Sequence, residues 1–243
     1  MKSQKILKIA FTLLITMFAY AANAQDWYVC YDQGSSNFKV DVDAPNGAGP
    51  DGTPGSWYAW TIDAGGTITA GDDPDGAGAN DSNASTVTWN GTPGLYNITS
   101  TEFNSCDETT GDQTTFAIQV LKPDVINAEL PTGCASGDLI ITIYGNSTDI
   151  VDYNYTDGTT PTNGQVTLND NGDGTFSADI TIPAGTYPAG TNVTFNVTNV
   201  TSSITAQPDG LTAFSCSNSA NLTFTSGTFL IDAGPSITPI IVN

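Results

Sequence analysis

Residues 85–101 read STVTWNGTPGLYNITST, and this stretch decides the fold class. Two short runs rich in β-branched and aromatic residues, Ser85–Trp89 and Tyr96–Thr101, flank the turn-forming Thr92-Pro93-Gly94. Such runs, bounded by Gly, Pro and Asn, are typical of β-strands. No helical periodicity of apolar residues competes with them here. The stretch therefore predicts two strands joined by a short connection.

The same alternation of β-branched runs and turn-forming clusters continues along the chain on both sides of this stretch. Lys122-Pro123-Asp124 interrupts it, and because proline removes a backbone donor, a domain boundary is expected there. Each side holds enough short strands for one β-sandwich. The predicted domains are residues 25–122 and 123–243. The predicted strands are Trp27–Tyr31, Phe38–Asp43, Trp57–Ile62, Thr67–Ala70, Ser85–Trp89, Tyr96–Thr101 and Thr115–Leu121, then Val125–Leu130, Asp138–Tyr144, Ile150–Tyr155, Gln165–Asn169, Thr175–Ile182, Asn192–Val197, Ala220–Thr225 and Thr228–Ile231.

The N-terminus has the three parts of a secretory signal peptide. Lys2, Lys5 and Lys8 precede an apolar run from Ile9 to Ala22, and Ala22-Asn23-Ala24 is an A-x-A cleavage site. A retained membrane anchor is the alternative, but the run is shorter than the ~20 residues that a spanning helix needs. We therefore expect residues 1–24 to be removed and the mature protein to be secreted, extracellular or on the cell surface, with no membrane insertion after cleavage.

Charge excludes several classes of function. After residue 24 the chain has no Arg, no His and only Lys39 and Lys122, against all 25 Asp and Glu, so the exported part carries a net charge of −23. Nucleic acid and anionic lipid are bound chiefly through Lys and Arg, so neither is expected as a partner. A Ser or Thr nucleophile lacks its usual activating base. Only three Glu, at 102, 108 and 129, could join Asp in glycoside hydrolysis, and none lies in a motif that marks a cleft. The chain is predicted not to be an enzyme and to have no catalytic residues.

The exported part contains four cysteines: Cys30, Cys106, Cys134 and Cys216. An even number in an oxidising compartment favours two disulfides, and three pairings are possible. We predict Cys30 with Cys106 and Cys134 with Cys216, because each pair then brackets one block of strands. A metal site is disfavoured because CxxC spacing and His are absent.

Two acidic loops are candidate calcium sites, and calcium is the one cofactor considered. Asn169–Thr175 places Asp170 and Asp173 in the alternating oxygen pattern of a calcium loop, but its Asn-Gly and Asp-Gly pairs also suit a hairpin turn. The other loop holds four carboxylates that either are solvated or share a cation. These four are Asp72, Asp73, Asp75 and Asp81.

An ordered series of motifs between residues 26 and 121 resembles the PKD-like, immunoglobulin-type domain of secreted surface proteins of the Bacteroidota. The series comprises Trp-Tyr-Val-Cys30, Phe-Lys-Val-Asp-Val42, Tyr58-Ala-Trp60-Thr-Ile62, Ser-Thr-Val-Thr-Trp89, Gly94-Leu-Tyr96-Asn-Ile98-Thr and Thr-Glu102-Phe-Asn104-Ser-Cys106. We expect the tryptophans to pack in the core and Tyr96 to seat its ring there while its hydroxyl bonds a loop backbone group. Residues 123–243 are only loosely similar. The resemblance implies an all-β fold of two tandem immunoglobulin-like β-sandwich domains, and a structural or adhesive extracellular role.

Two functions follow as expectations. The first is a non-enzymatic structural or adhesive surface protein, such as a filament or surface-layer subunit, that associates with itself or with other cell-surface proteins. Its apolar tail could add a strand to a neighbour's sheet edge through Ile237, Ile240, Ile241 and Val242. The alternative is a carbohydrate-binding accessory module, calcium-dependent or not, that uses exposed aromatic residues such as Trp27, Trp57 or Tyr58.

Overall fold

The computed structural model describes residues 27–39, 56–70, 84–104 and 107–233. Within these ranges the chain forms seventeen strands and no helix, which confirms the predicted all-β class. None of these residues belongs to a helix long and apolar enough to cross a membrane. The strands are β1 (Trp27–Cys30), β2 (Ser35–Lys39), β3 (Ser56–Ile62), β4 (Gly66–Ala70), β5 (Ala84–Trp89), β6 (Gly94–Asn104), β7 (Asp107–Leu121), β8 (Val125–Glu129), β9 (Gly133–Cys134), β10 (Leu139–Gly145), β11 (Ile150–Thr156), β12 (Thr162–Thr167), β13 (Asn169–Asp170), β14 (Phe176–Ile182), β15 (Asn192–Thr201), β16 (Ser217–Asn218) and β17 (Ser226–Asp232).

The chain divides into two compact units. The first unit contains the described residues up to Leu121 and, in addition, Gln207–Thr212. The second unit contains Lys122–Ala206 and the described residues from Ala213 onward. The predicted domain division had assigned residues 207–212 to the second domain. A short segment from late in the sequence is therefore part of the first unit.

The first unit is a pair of facing sheets. One has the strand order β1-β7-β6-β3 and the other β2-β5-β4. Strand β1 runs parallel to β7, with Trp27 opposite Ile118, and the other pairs are antiparallel. Alternate residues of these strands point inward, as the period of two requires. Both sheets contribute to the buried core, which consists of Val29, Tyr58, Trp60, Val87, Trp89, Ile98, Ile118 and Val120.

The second unit is built in the same way from a four-stranded and a six-stranded sheet. The smaller sheet has the order β13-β14-β10-β8, and the larger has the order β12-β11-β15-β17-β9, with β16 paired to β15. Strand β9 runs parallel to β17. The burial pattern of β10 alternates strictly at its start, so one face of the strand meets the core and the other is open. The core is aliphatic with few aromatic rings, in keeping with the absence of tryptophan from this half of the sequence.

Tyr96 has the role that the sequence predicted for it. Its ring packs against the core of the first unit. Its hydroxyl donates a hydrogen bond to the carbonyl oxygen of Thr92, four residues earlier, at 3.2 Å. The backbone of Gly65 lies directly against the ring, since a Cβ added there would be 2.3 Å from Cδ2 of Tyr96. The contact between Gly65 and Tyr96 thus fixes the position at which β6 enters its sheet.

Two sequence predictions about the strands and core were wrong. Residues Ala220–Thr225 form no strand, because the side chain of Asp124 binds the amide and hydroxyl of Thr223 and holds this segment in an irregular path. Trp57 is not part of the first core. It lies on the outer face of β3, where its ring stacks on that of its cross-strand partner Phe103 with centroids 6.2 Å apart.

Candidate functional site

The predicted disulfide pairing was wrong. Cys30 is bonded to Cys216, so neither the Cys30–Cys106 nor the Cys134–Cys216 bridge exists. Cys30 ends β1 and Cys216 precedes β16, and both are buried. The bridge therefore encloses almost the whole described chain in one covalent loop. Bracketing each block of strands was a poor guide because the bridge pairs a cysteine of the first block with one that follows Gln207–Thr212, a late segment that belongs to the first unit.

Cys134 is a free thiol on the edge strand β9 and is partly accessible. Cys106 lies outside the described residues. The four cysteines therefore do not act as the two symmetrical staples expected from their number.

Gln207 is the residue that anchors the late segment in the first unit, and nothing in the sequence pattern singled it out. Its side chain is 6% exposed. The backbone amide of Tyr28 donates to Oε1 of Gln207 at 2.7 Å, and Nε2 of Gln207 donates to the carbonyl oxygen of Tyr28 at 3.0 Å. The side-chain amide of Gln207 thus offers β1 the same donor and acceptor that the backbone of a neighbouring strand would offer.

The segment that carries Gln207 is a pre-formed turn. The amide of Gln207 donates to the carbonyl of Thr212, and Gly210 adopts a φ of 69° at the tip. Asp209 accepts hydrogen bonds from the amide and hydroxyl of Thr212 and from the amide of Leu211. These bonds, the Thr212 hydroxyl foremost, hold the pKa of the Asp209 carboxyl below its ordinary value. The turn is therefore stabilised by its own side chains.

The Asn169–Thr175 loop is a hairpin turn between β13 and β14. The carboxylate of Asp170 accepts the amide of Gly172, and that of Asp173 accepts the amide and hydroxyl of Thr175. The Thr175 hydroxyl bond is the main cause that lowers the pKa of Asp173. Both carboxylates are used to build the turn, and Gly172 and Gly174 within it adopt positive φ. Within the part of the chain that the structure describes, no group of three or more His, Cys, Asp and Glu could hold a metal ion.

The remaining predicted site residues divide between two outcomes. Two groups of predicted site residues lie outside the described residues, so both hypotheses stay predictions. They are the second acidic loop, with Asp72, Asp73, Asp75 and Asp81, and the apolar tail, with Ile237, Ile240, Ile241 and Val242. The aromatic residues offered for sugar binding are not a common platform. Tyr58 is 2% exposed and belongs to the core, and Trp27 packs partly buried against the same core.

Two buried acidic side chains in the second unit were not foreseen. Asp124 is 2% exposed and is fully engaged by Thr223 and by Lys122, whose Nζ lies 3.4 Å from Oδ2. Asp149 is equally buried, and its Oδ2 has no hydrogen-bond partner. Burial raises the pKa of Asp149, the hydrogen bonds from Ser147 and the backbone of Asp124 partly offset this, and the nearby charge of Asp124 adds to it. Asp149, in the loop between β10 and β11, is therefore a buried carboxyl group with one oxygen atom unpaired.

Comparison with known proteins identified neither a matching family model nor a similar curated protein.

Proposed function

We propose that this protein is a non-enzymatic structural or adhesive element of the cell surface, secreted and used as a filament or surface-layer subunit. The proposal rests on a chain almost devoid of cationic and imidazole groups and on one covalent feature, the Cys30–Cys216 bridge. The partners it requires are further copies of the chain or other surface proteins.

Strand order supports an immunoglobulin-like arrangement for both units. In each unit the first strand of the larger sheet, β1 or β9, runs parallel to the last strand, β7 or β17. The Tyr96 hydroxyl bonded to the carbonyl of Thr92 has the geometry of the tyrosine corner of such sandwiches. We propose on this basis that the chain belongs among the PKD-like domains of secreted Bacteroidota proteins.

The bridge determines how the chain carries tension. Force that enters before Cys30 and leaves after Cys216 first acts on β1, which pairs with β7, and on β17, which pairs with β15 and β9. Once these two strands are detached, the force passes through the S–S bond, and the chain between Cys30 and Cys216 is not extended. In a chain-entropy treatment, closing a loop of this size also stabilises the fold by about 5 kcal/mol. Both effects suit a protein with a mechanical role and no catalytic one.

The position of the apolar tail agrees with this load path. Residues 236–243 follow Cys216 in the sequence, so a neighbour bound through them would pull first on β17 and then on the bridge, which prevents extension of the loop that it closes. We propose that this segment adds a strand to an exposed sheet edge of the next molecule.

A strain of the producing organism that lacks the protein provides the test. It is complemented with the wild type, with Cys30→Ser/Cys216→Ser, or with Cys134→Ser as the matched control, and the cells are exposed to increasing shear. We expect the double variant to reach the surface and detach at lower shear than the wild type, whereas Cys134→Ser behaves as wild type. Equal retention of the null strain and the wild type would contradict the proposed role.

A further inference from the structure

An open groove of about 460 Å³ lies on the second unit, on the outer side of β8 and β10. The turn before β14 forms its other wall. Its volume falls in the range of about 300–1,000 Å³ that small-molecule sites occupy. Asp170 and Asp173 do not line it, so it is separate from the calcium pattern considered in the sequence.

A bulge in the edge strand β8 shapes this groove. Asn127 pairs with Tyr144 and Val125 pairs with Gly145, so Ile126 is an extra residue without a partner in the register. A bulge re-aims the side chain it carries. The side chain of Ile126 is accordingly 45% exposed and lines the groove, next to the half-buried Phe176.

Polar groups border this apolar surface. Tyr144 and Asn127 lie opposite each other in register, so their side chains share one face of the sheet. The carboxylate of Glu129 also lines the groove. The amide side chains of Asn127 and Asn146 form no hydrogen bond with any described protein group. Two neutral groups that both donate and accept are therefore available beside an aromatic ring.

The charge of the surroundings restricts the ligand. Lys122 is the one cation in residues 122–243, and it is paired with Asp124. Glu129 faces the groove, so an anionic ligand would meet repulsion with nothing to offset it. A ligand that offers hydroxyl groups and no charge suits the lining.

We propose that this groove binds a neutral oligosaccharide, with a sugar ring packed on Tyr144 and its hydroxyls bonded to Asn127 and Asn146. The C–H face of a pyranose is apolar and its rim is polar, which matches a ring bordered by amides. A basic peptide is the competing ligand. It is disfavoured because the groove offers a cationic ligand a single carboxylate, Glu129, whereas two amide side chains without a described protein partner line it. Through this site the surface protein would bind a glycan.

Calorimetry on the full exported chain tests the proposal with a fixed set of probes. The neutral probes are cellohexaose, xylohexaose, laminarihexaose and mannohexaose, and the charged probes are an oligogalacturonate and octalysine. We expect at least one neutral probe to bind at millimolar concentration or tighter, and no binding of the oligogalacturonate. Failure of all four neutral probes, or tighter binding of octalysine, would overturn the proposal.

Variants locate the binding. Tyr144→Ala is expected to weaken affinity by about tenfold or more and Asn146→Ala by about threefold, whereas Tyr144→Phe keeps most of it. Asn146 lies in an exposed loop, so its variant tests the site even if Tyr144→Ala impairs folding. Ile140→Ala, on the same strand, exposed and outside the groove, is the matched control. If Tyr144→Ala and Asn146→Ala both keep the wild-type affinity, this location is refuted. The shear experiment does not depend on the groove, so either result leaves it unaffected.

Discussion

The contact between Gly65 and Tyr96 predicts a large and specific effect of one methyl group. In Gly65→Ala, the new Cβ would lie 2.3–2.5 Å from three ring carbons of Tyr96, far inside the ~3.5 Å of a normal carbon contact. Overpacking of this kind costs about 1–3 kcal/mol, and displacing the ring also breaks the bond to Thr92, worth about 1 kcal/mol. We expect the first unit to lose about 2–4 kcal/mol of its free energy of unfolding.

Tryptophan fluorescence during urea denaturation measures this loss selectively. All four tryptophans, at positions 27, 57, 60 and 89, lie in the first unit, so excitation of tryptophan reports its unfolding alone. A double-mutant cycle isolates the clash, because Gly65→Ala should cost almost nothing when Tyr96 is already alanine. Tyr96→Ala alone is the reference for this cycle, because it removes the ring without adding the methyl group. An equal penalty in the Tyr96→Ala background would refute the proposed contact.

Three further predictions concern the buried polar groups and the cysteines. Gln207→Ala removes two hydrogen bonds to Tyr28 and should lower the stability of the first unit by about 1–3 kcal/mol in the same fluorescence assay. Gln207→Glu keeps only the acceptor, so it should also lower the stability of this unit. Because burial raises the folded-state pKa of Asp149, its ionised form destabilises the second unit, and stability from this group is gained as the pH falls through that pKa. Asp149→Asn should therefore raise the melting temperature at pH 7 and lose this gain on acidification; the same pH dependence in variant and wild type would contradict it. Alkylation of the native protein followed by peptide mapping should label Cys134 without reductant and leave Cys30 and Cys216 unlabelled, and labelling of Cys216 would disprove the bridge.

The strands were predictable where local patterns decide them. Around Trp89 and Tyr96, the β-branched runs and turn residues agree with β5 and β6 of the structure, so propensity and tertiary packing favour the same strands. Ala220–Thr225 shows the opposite case. Its alternation resembles a strand, but the hydrogen bonds that Thr223 donates to the carboxylate of Asp124, nearly a hundred residues earlier, determine its path. No local pattern contains that information.

The cysteine pairing and the groove could not be predicted from local patterns either, because both depend on contacts between residues far apart in the sequence. Which cysteine meets Cys30 depends on a late segment joining the first unit through Gln207, an ordinary residue in the sequence. The groove exists because one residue, Ile126, is unpaired in a register that pattern alone cannot fix. The loops at 72–81 and the tail lie outside the described residues, so those predictions stay open.

Single-molecule pulling on the exported chain, held at residues before Cys30 and after Cys216, tests the central claim most directly. With the bridge intact, the chain between Cys30 and Cys216 should not extend, and extension should be limited to the segments outside the loop, including β1 and β17. Reduction, or the Cys30→Ser/Cys216→Ser variant, should release about 185 residues and add about 60–67 nm of contour length. Release of that length without reduction would contradict a load path through the bridge.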